Sequence, residues 1–375
     1  MAGIYIHIPF CKQACNYCNF HFSTNLALQN DFTDALLKEI ELRRTYLSNE
    51  PIETIYFGGG TPSLLPLPAI RNILNSIYRN FSISADPEIS LESNPDDMTL
   101  SNLKAWKEYG INRLSIGVQS FFKDDLIWMN RAHNAQQAIE AIENTITAGF
   151  ENFSLDLIFG LPELTYENWI ENLKKAISLN PFHISCYALT VEPKTALYKM
   201  IQMKKTADIK PEKQARQFLT AIQLLEAAGY EHYEISSFSK PGKRSRHNSS
   251  YWQSKKYLGL GPAAHSFDGT SRQWNISNNA IYIKSLMEGK LNMESENLLP
   301  RDLLNEYIMT SLRTMEGLDL QKVSNLFGNE KSLLLENNAK KYIESKKIER
   351  KKEKLLLTNS GKLFADGIAS SLFFD

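Results

Sequence analysis

The sequence predicts an α/β fold, an incomplete (β/α)6 TIM-like barrel followed by a mainly helical, winged-helix-like domain. Short β-rich runs recur through the first half, at 4–8, 54–57, 88–92, 113–119, 152–159 and 183–190. Segments of helical period separate them, which is the alternation of parallel strands joined by crossover helices. Six such units over about 230 residues fall short of the eight that close a full barrel. The gap leaves a lateral mouth through which a large substrate or macrocycle could enter.

The helices between the strands carry their own start and stop signals. Over 211–228 the apolar residues Ala215, Phe218, Ile222 and Leu225 step by three and four, with Pro211 at the first helical position and Gly229 at the stop. Ile139, Ile142 and Ile146 repeat the spacing, with Asn134 as cap and Gly149 as terminator. Beyond Tyr230 the alternation fades into a Gly/Ser/Lys-rich stretch, 239–250, expected as a linker or an active-site lid. From Arg301 the pattern is mostly helical, closing with a strand-like run at 348–358 and a helix at 360–372. The expected division is a barrel over 1–230, a linker region over 231–300 and a helical domain over 301–375.

Composition narrows the class. The chain has 375 residues, 43% hydrophobic and 22% charged, which is too apolar for a disordered protein. Lys+Arg and Asp+Glu both number 42, so no global field attracts nucleic acid. No apolar run approaches the roughly 18 residues of a membrane span, so no transmembrane segment is expected. The first cation, Lys12, follows the first cysteine, so no leader-like basic segment precedes strand one and a cytoplasmic protein is expected. Residues 340–354 hold eight Lys/Arg against three Asp/Glu. This reads as a solvated helix face rather than a nucleic-acid site, and it would also suit a weak contact with anionic lipid or a membrane-bound acceptor.

Cysteine usage points to chemistry. Three of the four cysteines, Cys11, Cys15 and Cys18, share one short loop directly after the first strand, where barrel enzymes keep their active groups. Three thiolates so spaced can hold three corners of a cubane iron–sulfur cluster and leave the fourth iron open. Structural zinc, with His7 or His21 as a fourth ligand, is the competitor, although closed zinc cages are commonly built from two paired ligand sets. The second strand ends in Gly58-Gly59-Gly60-Thr61-Pro62. Successive missing Cβ atoms let a ligand approach the backbone, and a plain strand-to-helix turn would read the same way.

Together the two loops resemble the radical S-adenosylmethionine superfamily, whose CxxxCxxC loop follows the first strand of a partial barrel. Tyr5-Ile-His-Ile-Pro-Phe-Cys11 and Gly58-Gly-Gly-Thr-Pro62 are similar to the branch containing oxygen-independent coproporphyrinogen III oxidase and the HemW-type haem chaperones. The resemblance implies a 4Fe–4S cluster on Cys11, Cys15 and Cys18, with S-adenosylmethionine at the open iron. It implies Tyr5 and Tyr17 beside cluster and cofactor, and Gly59, Gly60 and Thr61 along the methionine part. Glu92, Gln119, Arg131 and Asp156 match further cofactor positions, where an amide, a guanidinium fork and carboxylates can read hydroxyls, a carboxylate and an amine.

Two features favour the chaperone over the oxidase. The oxidase loop carries a further cysteine two residues past the third, where this chain has Phe20, and the oxidase has an N-terminal extension that this chain lacks. Arg246-His-Asn-Ser-Ser-Tyr-Trp252 resembles the HNxxYW motif of the HemW-type proteins. The resemblance implies haem as cargo and a haem-accepting protein as partner, with His247 as candidate axial ligand and Tyr251 and Trp252 as flat surface for a macrocycle. A hydrogen-bonded loop histidine is the alternative for His247.

Overall fold

A computed structural model describes residues 2–375. The six expected strands are present as β1 (Ala2–Ile8), β2 (Ile52–Gly59), β3 (Ile83–Ser93), β4 (Arg113–Gln119), β5 (Phe153–Phe159) and β6 (His183–Ala188). They form one parallel run, each paired with its sequence neighbour. The helices between them are set by the signals already named. Asn134 caps Ala135–Thr147 in a reciprocal box with Gln137, and Gly149 ends that unit at φ +79°. Pro211 opens Pro211–Ala227, and Gly229 follows at φ +84°.

The segment expected as a linker is instead built into both edges of the sheet. It contributes β7 (Glu231–Glu234), β8 (Ser237–Ser239), β9 (Tyr257–Leu260), β10 (His265–Phe267), β11 (Ser271–Asn275) and β12 (Met293–Asn297). The full order is β12-β11-β10-β9-β1-β2-β3-β4-β5-β6-β8-β7, an open sheet that does not close on itself. Strand β9 lies parallel to β1, so a seventh parallel strand arrives from after the sixth unit. The stretch 239–250 ends in a helix, Arg246–Trp252, with His247 buried beneath it.

Register gives the sheet two unlike faces. Tyr5 pairs with Tyr56, Tyr56 with Ser90 and Glu92 with Ser115, while Asp156 pairs with Ser185. Polar and tyrosine side chains therefore line the inner face. Ile4, Ile6, Ile55, Phe57, Leu91, Ile116 and Leu155 alternate with them on the outer face, buried in the main core beneath the helices.

A second core, with Leu304, Ile308, Leu335, Leu355 and Ile368, holds the C-terminal module. Its helices Pro300–Leu312, Leu320–Phe327 and Asn329–Glu344 precede a hairpin, and β13 (Leu318–Asp319) joins that hairpin's strands β14 (Ile348–Lys351) and β15 (Lys354–Leu357) in the order β13-β15-β14. This is the helical, winged arrangement the sequence predicts. Among the described residues no helix is long and apolar enough to cross a membrane.

Candidate metal and cofactor site

The C-terminal ends of β1 to β6 surround a cavity of about 510 Å3, which falls in the size range of small-molecule sites. Cys11, Cys15, Cys18, Tyr17, Gly59, Gly60, Thr61, Glu92, Gln119, Arg131 and Asp156 all line it. The cysteine loop is pinned from below and beside. Lys12 pairs with Asp96 at 2.6 Å and with Asp97, and Asp97 also accepts from Ser63 at 2.7 Å. Asn130 donates to the Ala14 carbonyl at 2.7 Å, and Asn16 donates to the Trp128 carbonyl at 2.6 Å.

The glycine loop fits under the cysteine loop because side chains are missing there. Gly59 adopts φ +105°, and a Cβ on it would lie 2.7 Å from the His7 ring. A Cβ on Gly60 would lie 2.7 Å from the Phe10 carbonyl oxygen. The backbones of the two loops therefore touch, with Gly60 N–H donating to Ile8 at 2.8 Å and Thr61 N–H to Phe10 at 2.7 Å.

Electrostatics concentrate on the same spot. Desolvation raises the Glu92 carboxyl to about 7, against the opposing effect of hydrogen bonds from Tyr56 Oη at 2.8 Å and Gly59 N–H at 3.2 Å. Desolvation raises Asp156 as well, although Ser115 and Ser154 donate to it at 2.8 and 3.2 Å. Arg131 is the cation of the site, donating to Cys15 Sγ at 3.3 Å, Asn94 Oδ1 at 2.6 Å and the Gly117 carbonyl at 3.0 Å. Burial pushes the Cys18 thiol up to about 11 and raises Cys11, so these thiols ionise readily only beside a compensating cation.

The residues present fit an iron–sulfur cluster and an amino-acid-bearing cofactor. Three thiols lie on one wall, and Gln119 Oε1, Arg131 Nε and Ser93 Oγ are buried without partners. Gln119 holds φ +64°, a strained conformation for this residue type that turns the end of β4 at the cavity wall. Closed zinc is disfavoured by the histidines. His7 uses both ring nitrogens, on Tyr5 Oη at 3.2 Å and the His21 carbonyl at 2.8 Å, while His21 Nε2 is 2.7 Å from Asn279.

Two expected site residues stand apart. Tyr5 does not line the cavity; it lies one layer below, its ring 6.2 Å from that of Tyr56. His247 does not line the cavity either. It is 1% exposed, with Nδ1 on Thr54 Oγ1 at 2.8 Å and Nε2 on Tyr251 Oη at 2.9 Å, and its ring stacks 4.9 Å from Tyr56. Burial lowers its pKa to about 3, so the ring is neutral, and both nitrogens carry protein partners in the ligand-free chain. Asn94, Ser115, Gly117 and Tyr187 also line the cavity and escaped the sequence reading. Ser115, Gly117 and Gln119 share one face of β4 at alternate positions, a signal that period-two reading could have caught.

Residues 5–176 match the model of the radical SAM superfamily, and 298–364 match that of the HemN C-terminal domain. The heme chaperone HemW of Bacillus subtilis is 33% identical over 371 residues, covering 98% of each chain. HemW of Escherichia coli is 34% identical over 323 residues, 84% of this chain and 83% of that one. The solved structure of coproporphyrinogen III oxidase (HemN) from Escherichia coli, a radical SAM enzyme, superposes with a TM-score of 0.86 at 23% identity over 99% of this chain and 90% of that one. That likeness fixes the fold, and the similarity to the relatives across nearly the whole length fixes the branch. The chain belongs to the HemW-type branch of the radical SAM superfamily.

Proposed function

We propose that the chain is a haem chaperone that carries a 4Fe–4S cluster with S-adenosylmethionine, binds haem and passes it to a membrane-associated acceptor protein. Cys11, Cys15 and Cys18 would hold the cluster. Gly59, Gly60 and Thr61 would present backbone to the methionine part, with Tyr17 alongside. Arg131 would fork onto the cofactor carboxylate, Glu92 would take its amine, and Gln119 and Asp156 would read the ribose hydroxyls. When bound, the cluster supplies an electron-transfer centre with one iron open to the cofactor.

The observation that carries the proposal is the convergence of the three-thiol loop and the polar side chains on one cavity whose rim bears Phe20, 67% exposed. A phenyl ring at that place has no thiol to offer to oxidase chemistry, and it gives a macrocycle an apolar edge to approach. The names of the relatives, aligned over nearly the full chain, support the same reading. Anaerobic reconstitution followed by haem titration and a coproporphyrinogen assay tests it. Haem retention without porphyrinogen turnover is the expected outcome. Turnover, or indifference to haem, overturns the proposal.

A further inference from the structure

Beneath the cavity, the inner face of the sheet carries a row of buried polar side chains, and one of them is a histidine. Ser154 pairs with His183 and Asp156 with Ser185, so Ser154 and Asp156 of β5 and His183 of β6 share that face at alternate positions. Asp156 lines the cavity, whereas Ser154 and His183 lie below it, each 1% exposed.

Counting protons gives the row a direction. Desolvation, and then the nearby Arg113, hold His183 well below its ordinary pKa, so the ring is neutral and carries one N–H. Ser154 has a single hydroxyl proton and donates it to Asp156 Oδ1 at 3.2 Å. Its oxygen is left as the acceptor toward His183 Nδ1 at 3.1 Å, which places the ring proton on Nδ1. Nε2 then holds a lone pair, and the Tyr233 hydroxyl, 2.8 Å away on a side chain 2% exposed, donates to it. Every hydrogen bond of the row therefore points toward the Asp156 carboxylate. The other carboxylate oxygen takes Ser115 at 2.8 Å, and Ser185 supports the group from β6.

We propose that His183 is a positioning residue for the cofactor: as the Nδ1–H tautomer it fixes the Ser154 hydroxyl, and through it aims the Asp156 carboxylate at the ribose hydroxyls of S-adenosylmethionine. No covalent bond forms or breaks, and no proton leaves the row. Without the N–H, the serine hydroxyl is free to turn to a backbone carbonyl, and the carboxylate loses its tether. The proposal rests on the cofactor reading above and extends it to a side chain that does not line the cavity.

Variants of the full, reconstituted chain separate positioning from folding. His183→Asn keeps an N–H near the Nδ1 position, and His183→Phe keeps a ring but no donor. Equilibrium dialysis against S-adenosylmethionine, and against methionine, which has no ribose, reads the effect. His183→Phe is expected to bind S-adenosylmethionine about tenfold or more weakly with methionine binding unchanged, and His183→Asn to recover most of the loss. Nitrogen-15 NMR of the wild type, with the His183 signals assigned by their absence in His183→Asn, should show a neutral ring protonated at Nδ1. Ser154→Ala cuts the same row one link nearer the cavity and should weaken S-adenosylmethionine equally, which keeps the test open if His183→Phe fails to fold. A ring protonated at Nε2, unaltered S-adenosylmethionine binding in the folded variants, or equal losses for both ligands overturns the assignment and leaves the cofactor reading standing. A wild type that binds no S-adenosylmethionine overturns both.

Discussion

Glu92 shows how one side chain ties the cavity to solution conditions. Its carboxyl sits at about 7 in the fold against the usual 4.5, so the folded state takes up a proton before the unfolded state does. The ligand-free chain therefore loses stability as pH rises between those two values, as ionised carboxylate is forced into a desolvated place. Glu92→Gln removes that dependence, and its melting temperature should exceed the wild type's by a few degrees at about pH 8 and converge with it near pH 5. Parallel melting curves at both pH values would refute this account. S-adenosylmethionine binding should move the other way, weakening in the variant. Gly60 makes a purely steric prediction. A Cβ there would press on two backbone oxygens, Phe10 at 2.7 Å and Ile8 at 2.8 Å, neither of which can swing aside. Gly60→Ala should cost about 1–3 kcal/mol and lower the iron content reached on reconstitution. Denaturant unfolding and an iron assay read both effects.

Elements explain why some of this was legible and some was not. Strands β1 to β6 show as apolar runs because their outer faces pack under helices, and the cysteine and glycine loops stand out because their residue types are rare in such density. Strands β9 to β12 are only three to five residues long and include Gly259, Ser266 and Ser271, so nothing local marks them; their pairing is decided by β1 and by one another. The helix Arg246–Trp252 was not legible as a helix over β2 for a related reason. Its residues suit a haem surface, yet seven residues over the base of β2 turn His247 inward, onto Thr54 and Tyr251. His247→Ala should thus lower stability by about 2–4 kcal/mol through the cavity and the unpaired hydroxyls, measurable by urea unfolding. An unchanged haemin affinity and Soret band in the same variant would remove His247 from the role of ligand.

Across the whole molecule, the two cores meet at a narrow seam. Ile235 packs against both, its N–H donates to the Arg313 carbonyl at 3.1 Å, and Met315 N–H donates to the Tyr233 carbonyl at 3.0 Å. Arg313 extends over the Trp252 ring at 5.3 Å and donates to Asp366 at 2.8 Å. Arg313→Ala should cost about 1–2 kcal/mol, measurable by urea unfolding, with haem affinity unchanged. A loss of haem binding would mean that the seam transmits more than stability. The parallel partnership of β1 with β9 also has a consequence for biosynthesis. Tyr257–Leu260 leaves the ribosome long after Ala2–Ile8, so the first strand waits as a bare rim while most of the chain is made. The three thiols at its end are made long before the strand that covers this rim, so an iron–sulfur donor would have that whole interval in which to reach them.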